Sequence, residues 1–108
     1  MYADACSITL DAKGNGTGSL LGPRVGWLLR ILGGTVNSQG AGNPSLTIHD
    51  TVASNGLVLA VLQVGASNNI SGDGGTVLYP GQFPLVVVTG GIVGGRITVR
   101  LTGTLERF

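Results

Sequence analysis

Turn-forming stretches rich in glycine recur about every ten residues along the whole chain, and the segments between them alternate polar and apolar residues. That combination constrains the fold more than any other feature. A period of two places successive side chains on opposite faces of an extended strand, and glycine interrupts every candidate helical stretch before a helical period can build up. Ser7-Ile8-Thr9-Leu10-Asp11-Ala12 alternates, with Ile8, Leu10 and Ala12 on one face. "KGNGTG" (13–18) follows as a turn, because Asn-Gly tolerates the positive φ angles of tight hairpins. Further strands are expected at 17–21, 25–32, 45–49, 57–64, 76–79, 85–89 and 95–105. The stretches 33–44 and 65–75 read as loops, and 50–56 as a connection that could hold a short helix. About eight short strands at this spacing predict an all-β domain, an antiparallel β-sandwich or a jelly-roll-like barrel. With 108 residues the chain has room for one domain over 1–108 and one core.

The strands differ in how many apolar faces they carry. The last one has Ile97, Val99, Leu101 and Leu105 on one side and Arg96, Thr98, Arg100, Thr102 and Thr104 on the other. Val25, Trp27, Leu29 and Ile31 form the inner row of the third strand, yet Leu28 and Leu32 flank Arg30 on its outer row. The segments 57–64 and 85–88 are apolar on both sides. Two-sided apolar strands belong to sheets covered on both faces, and no helix is available here as a cover. Either the loops 33–44 and 65–75 fold over these faces, or another subunit does. The second reading makes Leu28, Arg30, Leu32, Leu57, Leu59, Val61, Val86 and Val88 candidate interface residues. Full burial of one Leu or Val contributes roughly 1.5–3 kcal/mol. About six of them would give on the order of 10 kcal/mol before association costs.

Chemistry-bearing residues are few. Only 10% of the chain is charged and the net charge is +1, with no basic run, so no nucleic-acid partner is expected. Cys6 is the only cysteine and His49 the only histidine, which excludes an intrachain disulfide and zinc spacing. The acids Asp4, Asp11, Asp50, Asp73 and Glu106 form no pair two apart on a strand, and no G-x-S-x-G nucleophile turn is present. His49 reads as a polar outer-face residue at a strand end. Calcium binding by Asn68, Asn69 and Asp73 would rest on one carboxylate, so 65–75 reads as a plain turn cluster. "GNGTGSLLG" (14–22) lacks the following helix that a phosphate loop needs. No catalytic residue, metal or cofactor is expected, and a small β enzyme or ligand-binding barrel is the weakest reading. The N-terminal stretch lacks the pattern of a signal peptide, and no apolar run approaches a membrane span.

The order of segments adds a family likeness. "ITLDAKGNGTGSLLG", "GNPSLTIHDTVASNGLVLAV", "GTVLYPGQFPLVVVTGG" and "GGRITVRLTG" resemble small β proteins encoded among the virion structural genes of tailed bacteriophages. The likeness lies in the DxxGNGT hairpin, the LTI strand followed by a short insertion, the Tyr-Pro after a strand and the closing Gly-rich ITV strand. It covers nearly the whole chain, apart from a short 65–83 region. It implies a non-enzymatic virion component, assembled in the host cytoplasm, that decorates or cements a capsid. The expected partner is the major capsid protein or another virion protein, in a homo-oligomer with a trimer as first expectation. A tail, fibre or baseplate β module used for adhesion or assembly is the alternative.

Overall fold

The computed structural model describes residues 2–49, 58–63 and 67–107, with side-chain environments at 3–49 and 77–107. The described residues hold eight strands and no helix: β1 (Tyr2–Thr9), β2 (Gly16–Ser19), β3 (Trp27–Gln39), β4 (Ser45–His49), β5 (Val58–Gln63), β6 (Ser67–Leu78), β7 (Leu85–Thr89) and β8 (Arg96–Arg107). They form two four-stranded antiparallel sheets, in the orders β1-β8-β3-β6 and β2-β7-β4-β5. The all-β, two-sheet expectation is therefore met. Strands β1 and β8, β2 and β7, β3 and β6, and β4 and β5 each pair, as in one long hairpin. The pairs β3·β8 and β4·β7 then tie that ribbon into two layers.

The core lies between the sheets. Ile8, Leu29, Ile31, Val36, Leu78, Ile97, Val99 and Leu101 face it from the first sheet, and Leu46, Ile48, Val86 and Val88 from the second. Leu10, Leu20 and Ala41 close it from the connections. It is aliphatic throughout. The side chains of Trp27, Tyr79 and Phe83 all lie at one end of the sandwich, outside it.

Two stretches read as loops are strand instead. Residues 33–39 extend β3, and 67–75 extend β6, which pairs with β3 from Leu29↔Leu78 to Asn37↔Ser67. Cross-strand hydrogen bonding supplied by β8 and β3 overrides the weak strand preference of Gly, Asn and Ser. The glycines mark an irregularity. The register on β3 shifts between Ile31 and Gly33, and opposite it β6 jumps from Thr76 to Ser71 across "GDGG". The bulge leaves Leu32 exposed and changes which parity faces inward, so that Ile31 and Val36 are both buried. Around it the backbones approach closely: a Cβ on Gly34 would lie 2.2 Å from the Arg100 carbonyl oxygen, and one on Gly103 2.2 Å from that of Arg30. Only glycine fits on either strand. At the strand ends the alternation overreaches: Ala12 and Leu105, expected inside, are exposed.

Candidate functional site

The candidate interface residues do not form one surface. Val86 and Val88 are fully buried core residues, which corrects their assignment to an interface. The reason is register. Val86 pairs with Ile48 and Val88 with Leu46, both inward. The outer row of β7 is Leu85 and Val87, half-buried opposite His49 and Thr47. A strand apolar at every position carries no parity of its own, so its alternating neighbour decides which residues go in. His49 is itself buried, at 8% exposure, rather than a solvent-facing strand end. Leu57 lies outside the described residues. Val61 pairs with Thr47 in the backbone register, and Leu59 sits at the shift between Ile48 and His49.

Leu28, Arg30 and Leu32 lie on the outer face of the first sheet. Leu28 is half-buried and Leu32 exposed. The Arg30 guanidinium donates to both Glu106 carboxylate oxygens across the β3·β8 pair. That contact, by hydrogen bonding and then by charge, holds the Glu106 carboxyl below its ordinary pKa. On β1 and β8 this face, Ala3, Ala5, Ser7 and Thr9 beside Arg96, Thr98, Arg100 and Thr102, is small or polar.

Two further described acids, Asp4 and Asp11, serve the backbone. Asp4 accepts hydrogen bonds from the amides of Ala5 and Leu21, tying the β2–β3 connection to β1. Asp11 accepts from the amides of Lys13 and Asn15 and so shapes the β1–β2 hairpin. Among the described residues no group of three His, Cys, Asp or Glu side chains could hold a metal ion. Cys6 is partly buried against the core. Burial, reinforced by the charge of Asp4, pushes its thiol up to about 11, so it is a poor nucleophile.

The structure instead brings together residues the sequence kept apart. Leu21, Gly22, Pro23, Arg24, Trp27 and Leu105 line a cleft of about 490 Å³ at one end of the sandwich. Two tight turns build this end. In Arg24-Val25-Gly26-Trp27 the Trp27 amide bonds to the Arg24 carbonyl and Gly26 has φ +87°. In Tyr79-Pro80-Gly81-Gln82 the Gln82 amide bonds to the Tyr79 carbonyl and Gly81 has φ +90°. Both are type II turns, with glycine at the third position. The first puts Val25 at its tip, 91% exposed. Trp27 forms the aromatic wall of the cleft, with the Arg107 guanidinium stacked 5.3 Å from its ring centre. Parity alone had sent Val25, Trp27 and Leu105 to the core. The "RVGW" turn was the available signal that the strand starts only at Trp27.

At the opposite end, the β7–β8 connection makes a third such turn, Ile92-Val93-Gly94-Gly95, with the Gly95 amide on the Ile92 carbonyl and Gly94 at φ +82°. Ile92 and Val93 are each 59% exposed. The neighbouring loops clamp its stem: the Gly91 amide donates to the Gly14 carbonyl, Ile92 to Ala41, and Leu10 to Gly95. The result is an apolar knob on a fixed base.

No protein-family model matches the chain, and no curated protein matches it.

Proposed function

We propose that the chain is a non-enzymatic structural protein of a tailed-phage virion that decorates or cements the capsid, with the major capsid protein as its partner. The observation that carries this reading is the strand order. Folding one long hairpin so that β1-β8-β3-β6 faces β2-β7-β4-β5 supports a jelly-roll reading, the eight-stranded fold that recurs in capsid and lectin domains. The likeness of the turn and strand motifs to small phage structural proteins supports the same reading. So do the exposed apolar groups at both ends of the sandwich, because surfaces of this kind serve protein contacts. A trimer on a local symmetry axis of the shell is the assembly this reading favours.

Gold-labelled antibody against the protein, imaged on purified virions, tests the proposal. Label distributed over the heads supports it. Label confined to tails or fibres replaces it with the adhesion or assembly module, and unlabelled particles overturn both.

A further inference from the structure

We propose that the chain associates head to tail with a second copy of itself, the Ile92-Val93 knob of one molecule entering the cleft of the next between Leu21, Pro23, Trp27 and Leu105. The two surfaces match in kind. One is a convex aliphatic turn whose backbone is fixed by bonds to two neighbouring loops. The other is a concave apolar site of about 490 Å³, walled by leucine, proline and tryptophan. That volume falls within the roughly 300–1,000 Å³ of ligand-sized sites and has room for two aliphatic side chains.

They cannot meet within one molecule. The knob precedes Arg96 and the cleft holds Leu105, so nine residues of β8, 96–104, separate them. At roughly 3.3 Å per residue that stretch spans about 30 Å, most of the long dimension of 42 Å. A contact between different patches of identical chains is heterologous. It leaves one knob and one cleft free after each addition, and gives a ring if the rotation closes or a filament if it does not. Because the knob is already held in its turn, little ordering cost opposes docking.

Charge predicts an unusual salt response. The knob end carries Lys13, Arg96 and Asp11, and the cleft end carries Arg24 and Arg107 beside the Arg30–Glu106 pair and Asp4. Among the described residues the free excess at both ends is positive, so screening it should strengthen self-association. An acidic partner in the cleft would show the reverse.

Sedimentation velocity on the purified chain tests this over a range of concentrations. The contact would form with or without virion heads, so the result is independent of the capsid reading. The weight-average mass of the wild type should rise with concentration, and rise further with added salt. Val93→Asp and Leu105→Asp each alter an exposed residue, and each should weaken association at least tenfold while circular dichroism stays native. An equimolar mixture of the two variants is the decisive arm. One retains a cleft and the other a knob, so the mixture should associate and stop at the mass of a dimer. A wild type that stays monomeric, variants that assemble like the wild type, or a mixture that stays monomeric would each overturn the proposal.

Discussion

Replacing Gly103 with alanine should destabilise the protein by about 2–3 kcal/mol, although the residue has no side chain and lies near the end of the chain. The new Cβ would stand 2.2 Å from the Arg30 carbonyl oxygen, 3.1 Å from the carbonyl carbon and 3.2 Å from Ile31 Cα. Unstrained carbon contacts lie near 3.5–4.0 Å, so β3 and β8 must part by roughly an ångström. These obstacles are backbone and cannot swing away. Overpacking of this kind costs about 1–3 kcal/mol. Each weakened bond of the β3·β8 ladder adds about 0.5–1.5 kcal/mol. Loss of unfolded-state freedom offsets about 0.4–1 kcal/mol of this. For a domain of this size the net effect lowers Tm by roughly 10–20 °C. Thermal melts followed by circular dichroism measure it, with Gly40→Ala as the control. Gly40 has φ +68° and open space around its Cβ position, so it reports backbone strain without a clash. If Gly103→Ala melts no lower than Gly40→Ala, the close strand approach at the bulge is wrong.

Val86→Asp should abolish folding or cost more than about 3 kcal/mol, because it places an unpaired carboxylate in the core, whereas Val87→Asp on the outer row should cost under about 1 kcal/mol. Equal losses in urea denaturation would reject the β4·β7 register. Cys6 should react with a disulfide reagent at pH 8 far more slowly in the native than in the unfolded protein, with an inflection near 11. Its raised value makes its contribution to stability intact below about 9.0, the unfolded value, and lost as pH climbs through about 11; an inflection near 9 would refute the burial. The lowered pKa of Glu106 gives the opposite sign, stability present above its unfolded value and lost as pH falls through the folded one. Carbon-detected NMR titration should show Glu106 returning to the ordinary carboxylate range in Arg30→Gln, and an unchanged titration would show that Arg30 is not the cause.

The strands that alternate were legible without coordinates, because period two ties each residue to a face. Ile8, Leu46, Ile48, Ile97, Val99 and Leu101 are all inside, as their spacing requires. Where the pattern is apolar on both sides it is silent, and the assignment of Val86 and Val88 to the surface was inverted. Composition misled at 33–39 and 67–75, where glycine and asparagine suggested loops but two long neighbours recruit the backbone into the sheet. The cleft was not legible at all. Its residues come from the β2–β3 connection and the ends of β3 and β8, far apart in sequence.

Alternation and glycine punctuation, both local properties, were enough to dictate many short strands, an all-β class and a chain poor in reactive groups. Tertiary structure decided which sheet each strand joins, which face of the uniformly apolar β7 goes inward, and that a knob and a cleft stand at opposite ends. Those outcomes depend on register between strands distant in sequence, and register is a property of the pair rather than of either strand alone.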